Sequence, residues 1–498
     1  MRLKPTLAVL CIHIFGVSAG LLDPITDLAP HPVCLRIQQE ISSKSDVYYF
    51  GHPLYLKGVS HWASSSSEIS KCVVEPGTAE DVAVVLKIVG ETKTPFAVKG
   101  GGHTTNAGFS STTGVHISMY RFSDVKYDVA SQTATIGAGL LWDDVYATLE
   151  PHGVNVVGGR LPGVGVAGFI LGGGYSWKSN QYGLTIDTVL AYELVTPGGV
   201  IMNVTHESEP ELFYALKGAL NNFGVVTKFT LRTFPQTKVW GGNIYYTSSS
   251  MSAVSAATIK FHATVSDPKA AVMTMFGTWL GSEALSFTVA ELFYDAPQPP
   301  PGIFDDFLNI PALTKDVKIR SFSSLVAASP TNLTSFQRGV IDTVPLLDIS
   351  PSIMDAIIHE TLTIGARLTL STDTFFSFTV QPFLPTLYSH TSLPSAFPWT
   401  RSKPYLPLNL YAAWALPTVD PFIRAEVEAS AQRIRDLAVR QGQEIDIDAP
   451  KYVNYAPGDT PLRMVYGPEK SIERLRDVKR VVDPGDVMGL AGGFKIRL

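Results

Sequence analysis

Two stretches of the sequence are almost bare of side chains: Gly100-Gly101-Gly102, followed at once by His103, and Gly163 to Gly174, which holds six glycines. Within the second, Gly163-Val164-Gly165-Val166-Ala167-Gly168 satisfies the G-x-G-x-x-G pattern of a nicotinamide-dinucleotide loop, and Asp187 lies about where that pattern needs a ribose-binding acid. The following residues argue against that reading. The pattern needs a helix opening at its third glycine, whereas Gly172-Gly173-Gly174 would cost a helix about 3 kcal/mol of propensity. Bare backbone offers another chemistry: main-chain N–H groups can close on a pyrophosphate, so the two stretches read as the floor for a large anionic cofactor. Either loop alone reads better as a set of tight turns needing positive φ. Two of them after successive strands favour the cofactor. His103 follows a strand end that would project it toward whatever the first loop holds; the other reading is a hydrogen-bonded structural histidine. No H-E-x-x-H or paired-cysteine spacing points to a metal, and no G-x-S-x-G elbow supplies a hydrolase nucleophile.

Positioning these residues requires strands that end at the loops. Thr78-Ala79-Glu80-Asp81 resembles a capping box, and Val82, Val85, Leu86 and Val89 recur on one helical face. A strand over Pro95 to Val98 then runs into Lys99 and the glycine triplet. Trp142, Val145 and Leu149 mark a second helix, Pro151-His152-Gly153 stops it, and Val154 to Val157 reads as a strand before the second glycine stretch. Val189 to Thr196 and Val200 to Val204 flank Pro197-Gly198-Gly199 as a hairpin, and a helix from Ser208 to about Gly218 closes an α/β region near residue 235. Beyond Val239, alternating segments at Ala271 to Leu280, Leu285 to Tyr294, Phe375 to Pro382 and Leu408 to Leu416 read as an antiparallel sheet interleaved with helices. A last helix carries Ile472, Leu475, Val478 and Val482 on one face. The expected fold class is α+β.

The chain of 498 residues, 45% hydrophobic and 17% charged, is long enough for more than one folding unit and too apolar to be disordered. Its 39 basic against 44 acidic residues leave a net charge of −5 and no basic tract, which excludes a nucleic-acid footprint. Arg2 and Lys4 precede an apolar run from Leu7 to Val17, with Val17 and Ala19 at a cleavage position, so residues 1–19 are expected to be a signal peptide and the mature chain to be secreted, without a membrane span. Cys11 leaves with the leader. Cys34 and Cys72 are then an even pair in an oxidising compartment, expected to form a disulfide, with two buried thiols as the alternative. Asn203 and Asn332 head glycosylation acceptor patterns and are expected on surface turns.

Several motifs occur together and in order: Lys99-Gly-Gly-Gly-His103-Thr-Thr, Gly159-Arg-Leu-Pro-Gly-Val-Gly-Val-Ala-Gly168, Leu171-Gly-Gly-Gly-Tyr175, Tyr182-Gly-Leu-Thr-Ile-Asp187, Asn222-Phe-Gly-Val-Val-Thr227, Tyr452-Val-Asn454-Tyr455 and Val481-Val-Asp-Pro484. This set resembles berberine-bridge-enzyme-like FAD-linked oxidoreductases, flavoproteins of the vanillyl-alcohol oxidase type. The resemblance implies FAD held between two α/β subdomains through Gly100, Gly101, Gly102, Thr104, Gly163, Val164, Gly165, Gly168, Gly173, Gly224, Val225 and Asn454. It implies a covalent bond from His103 to the flavin 8α carbon, where a neutral imidazole attacks an electrophilic centre made by the ring. Many relatives add a cysteine link, but Leu161 stands at that position, so single attachment is expected. Val164 matches the oxygen gate of oxygen-reactive members, and Tyr452 the tyrosine that takes the substrate proton as hydride leaves for flavin N5. Tyr175 resembles a second active-site tyrosine that could bond the substrate or Tyr452. Thr105 replaces an aromatic of many relatives. Gln381 and Trp414 are candidate pocket walls.

The expected organisation is a signal peptide at 1–19, an FAD-binding domain of two α/β subdomains at 20–235, a substrate domain with an antiparallel sheet backed by helices at 236–449, and a segment at 450–498 returning to the FAD domain. The expected function is that of a secreted, monomeric FAD-dependent oxidoreductase. It would oxidise a small alcohol, hemiacetal or amine, such as a fungal natural product, with molecular oxygen as acceptor and H2O2 as product. The alternatives are an oligosaccharide oxidase of the same family, or a catalytically silent flavoprotein acting in binding or defence.

Overall fold

The computed structural model describes residues 30–279, 285–369 and 374–498. The leader at 1–19 and Cys11 lie outside them, as does the side chain of Asn332. Among the described residues no helix is long and apolar enough to cross a membrane.

Three sheets organise the chain. The first has the strand order Asp46–Tyr48, Cys72–Glu75, Val115–Ser118 and Phe96–Lys99, and its last three strands are parallel. Parallel pairing needs a crossover, which the helix Ala79–Thr92 provides. Thr78 caps it by accepting from the Asp81 N–H (3.2 Å), and Lys93 ends it in the left-handed region (φ 50°). The expected disulfide forms between Cys34, on the helix Pro32–Glu40, and Cys72 at the start of its strand, with Cα atoms 6.2 Å apart.

The second sheet runs Val125–Asp128, Thr133–Gly137, Val225–Arg232, Val189–Val195 and Ile201–Thr205, antiparallel throughout. Its last two strands are the expected hairpin. Asn203 therefore sits exposed on an outer strand rather than on a turn, because the turn closes at Pro197 to Gly199. The strand expected over Val154 to Val157 shortens to Val154–Asn155, paired with Phe234–Pro235. Beyond it the backbone of Gly158 and Gly159 is pressed onto the Trp142 ring, leaving no edge for pairing.

The third sheet has seven antiparallel strands in the order Thr314–Arg320, Val239–Thr247, Ser286–Tyr294, Ala270–Trp279, Phe375–Val380, Leu406–Trp414 and Arg338–Leu346. The helices Met251–Thr264, Pro351–Thr369 and Asp420–Arg440 cover one face. The other face turns toward the glycine loops: Phe293 packs on Trp177 and Tyr411 on Trp62. Register places Glu291, Met273, Met275, Thr379, Asn409 and Tyr411 on that inner face. Residues 450–498 return to the first two sheets, where Ala491 bridges to Phe96 and the Ile496 N–H donates to Asn222 Oδ1 (3.0 Å).

Candidate active site

The strand Phe96–Lys99 delivers the first glycine stretch. Lys99 is fully buried, and its Nζ donates to the carbonyls of Lys57 (3.2 Å), Gly58 (2.7 Å) and Ser60 (2.5 Å), closing the end of the helix Pro53–Val59. Burial, reinforced by the nearby Lys57 charge, lowers its pKa to about 7. At Gly101 the two bare stretches touch: a β-carbon there would lie 2.6 Å from both Cα and N of Gly165. Gly165 in turn caps the six-residue helix Val166–Leu171, which ends at Gly172. Beside this contact the floor opens. Gly163 (φ +77°) and Gly168 have nothing within 4 Å of where a β-carbon would stand. Among the described residues, none of the backbone N–H groups from Gly100 to Thr105 donates a hydrogen bond.

His103 stands at the edge of this floor. Its ring stacks on Trp62, centroids 4.5 Å apart and planes 12° from parallel. Its Nε2 is enclosed with no hydrogen-bond partner. Burial lowers its pKa to about 4, opposed by a bond to its own backbone, so the imidazole is neutral at pH 7 with a free lone pair. A partnerless buried nitrogen, a run of unengaged N–H groups and glycines facing open space together fit an FAD whose pyrophosphate lies on the loops. Gly100 to Thr104, Gly163, Val164, Gly165 and Gly168 would hold it, with His103 at its margin.

The second cluster gathers around Tyr452, whose ring lies 3.6 Å from the β-carbon position of Gly173. Asn454 Nδ2 donates to Tyr452 Oη (3.0 Å) and to the Phe169 carbonyl (3.2 Å), tying the tyrosine to the glycine stretch. Arg160 is buried, and its Nη2 donates to Gln381 Oε1 (2.5 Å) and Tyr455 Oη (3.2 Å). Burial pushes the Tyr452 phenol well above its usual value and Tyr455 adds to this, while the Asn454 bond and the Arg160 charge pull the other way. On the sheet above, burial raises the Glu291 carboxyl to about 7 against a hydrogen bond from Ser329 and the Arg160 charge. Tyr411 lies opposite Ser377, and Gln381 follows four residues on, so the contacts to the His103 and Tyr452 clusters are about 13 Å apart along this face.

Three expectations change. The Tyr175 hydroxyl bonds to Tyr388 Oη (2.7 Å) rather than to Tyr452; its ring meets Tyr452 edge-on at 4.6 Å, because the turn Pro385–Tyr388 brings a second phenol within reach. Trp414 is no pocket wall: it is fully buried and its Nε1 donates to Asp420 Oδ1 (2.8 Å), at the start of the helix that covers the far face. As the sequence reading expected, Asp187 is no ribose ligand: its carboxylate is gripped by Arg401 (2.8 and 3.0 Å) with Lys217 at 3.8 Å. Gly224 (φ +144°) opens the strand Val225–Arg232, and its missing β-carbon makes room for the Val195 carbonyl, which explains the glycine without a cofactor.

Sequence reading missed Arg160, Glu291 and Trp62. Arg160 sits inside the Gly159 to Gly168 motif and is its only charged residue, a signal that was available. Glu291 is the one acid in the otherwise apolar or hydroxylated strand Ser286–Tyr294. Trp62 lies in a loop with no local pattern.

Residues 70–205 match the FAD binding domain family. A FAD-dependent monooxygenase of Fusarium proliferatum is 31% identical over 497 residues, spanning 93% of this chain and 94% of that protein. An uncharacterised FAD-linked oxidoreductase of Arthroderma benhamiae is 37% identical over 273 residues, 54% of each chain, so this match spans about half of that relative. Among solved structures, the carbohydrate oxidase of Microdochium nivale superposes with a TM-score of 0.75 at 18% identity, covering 94% of this chain and 99% of the other. Berberine bridge enzyme superposes with a TM-score of 0.72 at 16% identity, covering 91% and 96%.

Proposed function

The chain belongs to the FAD-linked oxidoreductases of the berberine-bridge-enzyme-like family, and from that premise we propose a secreted oxidase whose FAD is linked through His103 alone. When bound, FAD supplies a two-electron acceptor that molecular oxygen can reoxidise. The substrate is a small organic molecule with an oxidisable C–H beside oxygen or nitrogen, seated between the glycine floor and the inner face of the seven-stranded sheet. The Fusarium relative is a monooxygenase and the Microdochium neighbour a carbohydrate oxidase, and this supports oxygen as acceptor. Val164, half-buried in the floor, fits the gate position. The disulfide supports export.

Tyr452 takes the substrate proton. Burial keeps its phenol protonated at rest, so base action begins with loss of that proton, which the Asn454 bond and the Arg160 charge favour. Arg160 is itself held by Gln381 and Tyr455. The observation that carries the reading is the floor of unengaged N–H groups and open glycines, with the His103 ring at its edge and Tyr452 and Asn454 against Gly173 and Gly172.

Acid-denatured wild type should give a flavin-fluorescent gel band that His103→Ala lacks, and turnover should release H2O2. Tyr452→Phe should keep its flavin but slow reduction by substrate by about 10² to 10⁴-fold, and the wild-type rate should rise with pH. Intact FAD freed by acid from wild type removes the covalent link, and an unchanged Tyr452→Phe rate removes the base.

A further inference from the structure

The loop before the first glycine stretch is fastened to it at several points. The Trp62 N–H donates to the Gly102 carbonyl (3.0 Å), Ser66 Oγ donates to the Thr104 carbonyl (2.8 Å), and Lys99 Nζ holds the Ser60 carbonyl (2.5 Å). From the other side the Phe336 N–H donates to the Trp62 carbonyl (2.7 Å). The Trp62 backbone is therefore held from both sides. Its ring lies parallel to His103 on one side and meets Tyr411 of the seven-stranded sheet at 5.4 Å on the other.

We infer that Trp62 is a positioning residue for flavin attachment: its stacked ring fixes the plane of the His103 imidazole at the edge of the glycine floor. The inference rests on the covalent link proposed above. In that reaction a ring nitrogen of His103 forms a bond to the 8α carbon. One methyl hydrogen leaves as a proton, the alkylated imidazole gives up its remaining ring N–H proton, and the displaced electron pair passes to oxygen, yielding H2O2. Such a step depends on how often the lone pair points at the carbon. A freed imidazole would spread over about six rotamers, and attachment should slow about tenfold.

The test uses the full-length protein incubated with added FAD, following the acid-stable fluorescent band over time beside total bound FAD and the thermal midpoint. Trp62→Ala should bind FAD but attach it about tenfold more slowly than wild type, and Trp62→Phe, which keeps a stacking ring, should recover the rate. Where Trp62→Ala folds poorly, Trp62→Leu keeps bulk without a ring and should show the same slow attachment. Attachment by Trp62→Ala or Trp62→Leu at the wild-type rate overturns the positioning role while leaving the link intact. A wild type that never forms the acid-stable band overturns the link, and the positioning role with it.

Discussion

Replacing Gly101 by alanine tests the floor most directly, because the backbone there is not in the left-handed region and the substitution adds only an atom. That atom would stand 2.6 Å from Cα and N of Gly165 and 3.0 Å from Leu141 Cδ2. Carbon atoms rest at about 3.5–4.0 Å, so the two glycine stretches must part by about 1 Å. The obstacle is main chain rather than a side chain that can swing aside. Overpacking of this kind costs about 1–3 kcal/mol, and the separation falls between the two walls assigned to the cofactor. Gly153→Ala is the control: Gly153 is exposed, has φ +65° and has nothing within 4 Å of its β-carbon position, so it carries only backbone strain of about 1–2 kcal/mol. Flavin per mole of purified protein and the thermal midpoint are the readouts. Gly101→Ala should lose most of its flavin, and Gly153→Ala should keep it at a comparably lowered midpoint. A Gly101→Ala protein with full flavin and an unchanged midpoint would refute the close contact.

Acid should weaken the fold in a defined window. His61 has a folded pKa lowered by burial to about 4, below the 6.5 of the unfolded chain, so on acidification the unfolded state binds protons first. Stability is then full above pH 6.5 and lost between 6.5 and about 4, by about 3 kcal/mol; urea midpoints should fall through that range, and a flat profile would contradict the burial. Replacing both Cys34 and Cys72 by alanine opens a loop of 38 residues and should cost about 4 kcal/mol in the loop-entropy account, read by denaturant unfolding; a loss under about 1 kcal/mol would mean that the bridge restrains little.

Local chemistry made much of the fold legible. Thr78 announces the helix Ala79–Thr92 through its own hydroxyl, and Pro197 to Gly199 announces the hairpin, because each signal lies within a few residues of its effect. The four alternating segments of the third sheet appear within a residue or two of their strands, but their lateral order does not, since strand order is decided by pairings between distant segments, such as Thr274 with Val380. The site divides in the same way. His103 and the glycines carry their meaning in sequence neighbours. Trp62 meets His103 only through folding, and the tyrosine that binds Tyr175 proves to be Tyr388, 213 residues away. Trp414 misled because a strand shows which residues share a face but not which face looks at the site.

The order in which the chain is made constrains when the cofactor can be loaded. Tyr452 and Asn454 arise from the last tenth of the polypeptide, and the Phe494 carbonyl and Ile496 N–H complete the hydrogen bonds of Asn222. A nascent chain halted on the ribosome before these residues emerge would carry both glycine stretches and His103 but lack the strap that stitches them to the rest. On the site proposed above, loading would follow release of these last residues, and half-made chains would be colourless.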